Sequence, residues 1–197
     1  MNKILISGFG ASGKSFCASK FKKKGFYILH LDELLRNKVQ KKFPNIFVFN
    51  IYSRELHPGL IKNKVDKYFI ELIRNSIKKH KKIVLEGKLR NKKLIDDIFK
   101  GYDYSIIVVK PKNKKVYKER VIKRFIEDPA HYGRLGFLGN IDFLYDRKGL
   151  NDYIKNGIKG KFINKIINQG VNKVYKKHKE METFFKNNYD NVEVIKT

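Results

Sequence analysis

Apolar and polar positions fall into short blocks whose period changes along the chain. Lys3 to Ser7 is a brief apolar run that reads as a strand, Gly8 to Gly13 is glycine-rich, and Lys14 to Lys24 carries Phe16, Cys17 and Phe21 among polar residues, as a short helix does. Gly25 is a natural helix stop, and Phe26 to Leu31 is a second strand-like run ending at Asp32. Glu33 to Lys42 reads as helix, Pro44 interrupts it, and the apolar stretch from Ile46 to Tyr52 matches neither period. Over Gly59 to His80, the spacing of Leu60, Ile61, Val65, Phe69, Leu72, Ile73 and Ile77 predicts one face of a long helix.

The second half repeats the alternation and then abandons it. Lys82 to Glu86 is a third strand by its Ile-Val-Leu run, Asn91 to Phe99 an amphipathic helix closed by Gly101, and Tyr104 to Val109 a fourth strand bounded by Pro111. Lys114 to Glu127 is a basic helix, Asp128 to Gly149 is loop-like, Lys159 to Lys186 is a long basic helix, and Asn191 to Ile195 is a closing strand. Strands alternating with helices predict an α/β fold of three layers around a parallel sheet, with the active edge at the carboxyl ends of the strands. The length of 197 residues suits one domain, 1–197, carrying a basic, lid-like region at about 114–150.

Composition changes this picture at one point. Lys and Arg number 45 against 19 Asp and Glu, a formal net charge of +26, which suits nucleic acid, an acidic surface or a polyanionic small substrate. The excess is mostly Lys in a chain rich in Asn and Ile, so coding bias toward A and T accounts for part of it. No run approaches the roughly 20 apolar residues of a membrane span. A single cysteine, Cys17, and an amino terminus that leads straight into a structural motif predict a reducing, cytoplasmic setting. Nothing in the pattern fixes an oligomeric state.

The chemistry concentrates in Gly8-Phe9-Gly10-Ala11-Ser12-Gly13-Lys14-Ser15. Glycines let the backbone turn successive N–H groups inward, and the following helix adds its positive end, so Gly8, Gly10, Ala11, Ser12, Gly13, Lys14, Ser15 and Phe16 are the candidate cradle for ATP. Lys14 is expected to reach the β and γ phosphates, and the Ser15 hydroxyl to bind Mg2+. Asp32, at a strand end beside this loop, is placed to accept a proton from an attacking hydroxyl or to act on the metal through water; as an alternative it caps a helix.

From Ile4 to Arg36 the chain resembles the dephospho-coenzyme A kinases: the loop GASGKS, the helix ASKF, Gly25, and His30-Leu31-Asp32 with Arg36 follow that family's spacing without a gap. The resemblance implies a P-loop kinase fold, ATP with Mg2+, dephospho-coenzyme A as acceptor, and Asp32 as catalytic base. That family usually carries Asp where this chain has His30. Leu56-His57-Pro58 resembles its His-Pro motif near the acceptor, which implicates His57, and Asp152 to Gly157 resembles a late strand motif. The middle of the chain is similar instead to adenylate-kinase-like nucleoside monophosphate kinases, at Val84-Leu85-Glu86-Gly87-Lys88-Leu89-Arg90. There Glu86 stands for the usual Asp and Arg90 would hold the acceptor's phosphate. Arg120 and Arg124, four apart on one helix face, match the region whose arginines close over ATP in both families, and Arg134 is a further lid candidate.

These readings predict an ATP-dependent phosphotransferase acting on a nucleotide-like small molecule, with dephospho-coenzyme A ahead of a nucleoside monophosphate. Two alternatives stay open. One is a nucleic-acid-associated ATP-binding protein or polynucleotide end kinase that uses the lysines of 159–186. The other is a relative that binds nucleotide without turnover.

Overall fold

The computed structural model describes residues 2–46, 48, 59–127 and 161–197. The chain forms two compact units. The first comprises Met1–Gly8, Lys14–Val109 and Met181–Ile195, and the second Phe9–Gly13, Lys110–Glu180 and Lys196–Thr197.

The first unit is built on a five-stranded sheet, ordered β2-β3-β1-β4-β5. Its strands are β1 (Lys3–Ser7), β2 (Tyr27–His30), β3 (Ile83–Gly87), β4 (Ser105–Lys110) and β5 (Val192–Lys196). β1 pairs in parallel with β3 and β4, and β2 pairs in parallel with β3. Each central strand reads as a near-continuous apolar run because both faces are covered. On one face Ile4, Ile6, Val84, Ile107 and Val109 pack with Cys17 and Ala18 of α1 (Lys14–Lys22), joined by Phe21, Phe26, Ile28 and Ile195. The alternate residues Leu5, Leu85, Ile106 and Val108 are equally buried.

α1 ends as its sequence predicts. Gly25 takes φ +80°, the Phe26 N–H donates to the Phe21 carbonyl and the Gly25 N–H to that of Lys22, while the Phe21 and Phe26 rings meet edge-on at 5.5 Å. This is a Schellman stop with its usual apolar clasp.

The second strand is shorter than its apolar run. Leu31, fully buried, already opens α2 (Leu31–Leu34), which continues through a π-helical turn (Leu35–Val39) into α3 (Gln40–Lys42). The long helix α4 (Gly59–Lys79) buries Val65, Phe69, Ile73 and Ile77, and α5 (Lys92–Phe99) starts at Asn91, whose side chain accepts the Leu94 N–H. Arg74 of α4 donates to the carbonyls of Asp97, Ile98 and Lys100, closing the carboxyl end of α5.

In the second unit α6 (Lys114–Glu127) is capped by Asn113, which accepts the Val116 N–H. The long helix α7 (Lys161–Lys186) contributes its residues up to Glu180 to this unit. Buried Tyr117 and His178 meet ring edge to face, with centroids 5.0 Å apart. No helix among the described residues is long and apolar enough to cross a membrane.

Candidate active site

The loop that follows β1 carries two residues in the left-handed region, Ala11 at φ +60° and Gly13 at φ +94°. Gly13 meets this demand freely, whereas alanine there costs roughly 1–2 kcal/mol. The Ser12 N–H donates to the Phe9 carbonyl at 3.2 Å, so the loop doubles back before α1 begins at Lys14.

In the first unit three side chains converge at the carboxyl ends of the strands. The parallel register sets Ile6 opposite Glu86 and Glu86 opposite His30, so Glu86 and His30 share one face of the sheet. His30 Nδ1 donates to Glu86 Oε2 at 2.7 Å, and Lys14 Nζ lies 3.7 Å from Glu86 Oε1. The Glu86 side chain is 9% exposed and that of Lys14 11%, so both charges rest on protein neighbours more than on water. A carboxylate only accepts, so this contact takes its proton from His30, whose side chain as a whole is 38% exposed.

Asp32 takes the second position of α2, with an exposed side chain. The residue in the capping position is His30, whose side chain makes no capping bond, so helix capping by Asp32 is not what the fold uses. The close approach of β3 to α2 depends on Gly87: a Cβ there would lie 2.9 Å from Leu31 Cβ. Ser15 and Phe16 are exposed on the first turn of α1, with Phe16 64% exposed and the Lys20 ammonium 4.9 Å from its ring. Ser7, at the end of β1, donates to the Leu89 carbonyl at 2.8 Å. Arg90 is half-buried and lines a cavity of about 670 Å³ together with Asn63, Lys67, Lys92, Lys93 and Asn188.

Within the second unit, the loop segment Phe9–Gly13 is held by side chains from two other segments. Thr197 Oγ1 donates to the Ser12 carbonyl at 2.6 Å, and Arg120 donates to Thr197 Oγ1 at 2.8 Å and to the Ser12 carbonyl at 3.4 Å. Phe9 packs edge-on against His178 at 5.4 Å. Arg120 therefore reaches loop backbone here. Burial pushes the Tyr117 phenol well above the ordinary tyrosine range, with the Arg124 charge opposing the shift. Burial likewise raises the Cys17 thiol, leaving it an inert core group.

Lys14, Glu86 and His30 are thus brought together, and Ser12 and Arg120 form a second contact group. His57, Arg134 and the stretch Asp152 to Gly157 lie outside the described residues, as does 128–150 of the expected lid. Two participants escaped the sequence reading. His30 looked like a simple departure from a motif, and only its register with Glu86 reveals a partner. Thr197 had no signal at all, being 185 residues from the carbonyl it meets. Among the described residues no cluster of three or more His, Cys, Asp or Glu could hold a metal.

No family model matches the chain. Over 86 residues, 43% of this chain, it is 28% identical to a UPF0200 protein of Thermococcus onnurineus (strain NA1), and the match spans 46% of that protein, under half its length. Among solved structures, a gluconokinase from Sinorhizobium meliloti 1021 aligns with a TM-score of 0.42 at 12% identity, covering 92% of this chain and 96% of its own. A shikimate kinase from Bacteroides thetaiotaomicron aligns with a TM-score of 0.42 at 12% identity, covering 92% and 98%.

Proposed function

We propose that this chain is a P-loop phosphotransferase, moving the γ-phosphoryl group of ATP to a hydroxyl of a nucleotide-like small molecule, with dephospho-coenzyme A as the leading acceptor. The observation that carries this reading is the segment Gly8–Ser15: a strand end, a loop with left-handed Ala11 and Gly13, and a helix that starts at Lys14.

In this reading the loop amides and Lys14 hold the phosphates. Ser15, with an exposed hydroxyl, suits a Mg2+ ion that takes its remaining oxygens from phosphate and water, and such an ion would offset charge on the transferred group. The acceptor's hydroxyl oxygen bonds to the γ phosphorus as the bond to the β–γ bridging oxygen breaks. Asp32 takes the hydroxyl proton and ADP leaves. Asp32 is suited to this by its exposure at the start of α2, where an acceptor reaches it as readily as water does. Arg120 keeps the Ser12 carbonyl in place and Arg124 adds positive charge, while the roles of His57 at the acceptor and of 114–150 as a lid rest on the sequence resemblance alone.

A second acceptor, a nucleoside monophosphate, is favoured by one observation. Arg90 lines the 670 Å³ cavity together with Lys67, Lys92 and Lys93, four cations against the two carboxylates Asp66 and Asp97, a balance that suits a phosphate already present on the acceptor. An assay of ADP release with dephospho-coenzyme A and a panel of nucleoside monophosphates separates the two. Turnover with the first supports the leading reading, turnover only with a monophosphate supports the second, and no acceptor-dependent turnover with either rejects both.

A further inference from the structure

The kinase reading does not account for the whole charge of +26, and seven of the 45 Lys and Arg gather at the amino ends of the strands. The amino ends of β2 and β3 meet where the Tyr27 N–H donates to the Lys82 carbonyl at 3.0 Å. Around that point stand the end of α1, with exposed Lys22, Lys23 and Lys24, and the end of α4 with its exit, with exposed Lys78, Lys79, Lys81 and Lys82. None of these seven makes an ion pair with a carboxylate among the described residues. The two contributing segments, 20–31 and 72–85, contain no Asp or Glu. Coding bias supplies lysines, but it does not explain why two strips without acids fold against each other.

Aromatic rings are set into the same edge. Tyr27 is 43% exposed and stacks on His80 with centroids 3.8 Å apart and planes within 6°. Lys24 lies 5.8 Å from the Phe21 ring centroid and Lys82 5.7 Å from that of Phe26, which holds two ammonium groups against the surface. Seven like charges without acidic partners repel one another, and a chain of phosphates removes that cost. A flat, exposed, pre-stacked ring among them offers a base a partner for stacking that does not depend on sequence.

We propose that this edge binds single-stranded nucleic acid, through phosphate contacts from the seven lysines and stacking of a base on Tyr27. The surface lies at the amino ends of the strands, away from Lys14, Glu86 and His30 at the carboxyl ends, so it stands or falls independently of the phosphotransfer reading. An anionic membrane would be drawn by the same charge, but the exposed group here is a phenol on a flat stack rather than a protruding aliphatic wedge.

The test is fluorescence anisotropy of a labelled mixed-sequence oligonucleotide of about 12 nucleotides, titrated with full-length protein at several salt concentrations. Single strands lose about 0.7 in the slope of log K against log salt for each phosphate contact removed, so replacing Lys23, Lys79 and Lys81 together with Gln should flatten the slope by about 2. The matched replacement of exposed Lys173, Lys176 and Lys179 on α7 should leave it nearly unchanged. Tyr27→Ala should weaken single-strand binding about tenfold, and Tyr27→Phe, which keeps the ring, should not. Equal flattening by the two lysine triples would overturn the proposal, as would binding to duplex or to phosphatidylserine vesicles that is as tight as binding to the single strand. Phosphotransfer and ATP binding should be the same in all these variants and in the wild type.

Discussion

Replacing Glu86 with Gln removes one charge from the centre of the candidate site while keeping its shape. The amide oxygen still accepts from His30, so the loss falls on Lys14, 3.7 Å away and 11% exposed. At that separation the attraction is about 4 kcal/mol for an effective dielectric of about 20, and breaking a buried pair from one side costs about 3–5 kcal/mol. Because both groups keep slight solvent access, about 3 kcal/mol is the reasonable figure. In a chain of this size each kcal/mol moves Tm by about 2–4 °C, so the variant should melt about 6–12 °C below the wild type by differential scanning calorimetry. The sign with nucleotide is opposite. An ammonium that has lost its carboxylate gains more from a triphosphate, so ATP should raise Tm further in Glu86→Gln than in the wild type. A Tm within about 2 °C of the wild type, or a smaller rise with ATP, would refute the claim that Glu86 balances Lys14.

Other substitutions probe separate parts of the account. Asp32→Asn should lower kcat by about 10²–10⁴-fold without moving Tm or ATP affinity, because the side chain is exposed; steady-state kinetics beside a melting curve checks this. Gly87→Ala drives a methyl group to 2.9 Å from Leu31 Cβ and should cost about 1–3 kcal/mol in urea unfolding, with loss of phosphotransfer as Leu31 carries His30 and Asp32 with it. Tyr117→Phe removes a buried hydroxyl that has no hydrogen-bond partner among the described residues, and should stabilise the fold by about 1 kcal/mol at neutral pH. The same phenol gives a pH signature. Its folded pKa is raised, so the folded state holds the proton longer, and its contribution to stability is present below the ordinary tyrosine value near 10 and lost as pH rises above it. Tyr117→Phe should blunt that alkaline loss in melts run from pH 9 to 11.

Local chemistry was legible and long-range register was not. The strand, glycine loop and helix of Lys3 to Lys22 follow from a change of period at Gly8, and the stop at Gly25 from a residue that tolerates φ +80°. The carboxyl end of β2 was read one residue too far. Leu31 is apolar and fully buried, but it is buried as the first residue of a helix, and apolarity alone cannot tell those two settings apart. That slip matters, because it moves Asp32 from the strand end into a helix and leaves His30 as the last strand residue. The contact of His30 with Glu86 spans 56 residues and comes from the pairing of β2 with β3, which no local pattern encodes. The π-helical turn at Leu35–Val39 also escaped, since its apolar residues Leu35 and Val39 lie four apart, as in an ordinary helix. Arg120 was read for its charge, whereas the fold directs it to a backbone carbonyl and a threonine hydroxyl.

Isothermal titration of ATP with Mg2+ into the protein at moderate ionic strength tests the phosphate loop most directly. The account predicts saturable heat at one site per chain, abolished when inorganic tripolyphosphate is added in excess, because the loop amides and Lys14 recognise the phosphate tail. No heat on titration, or heat that excess tripolyphosphate leaves intact, would contradict it.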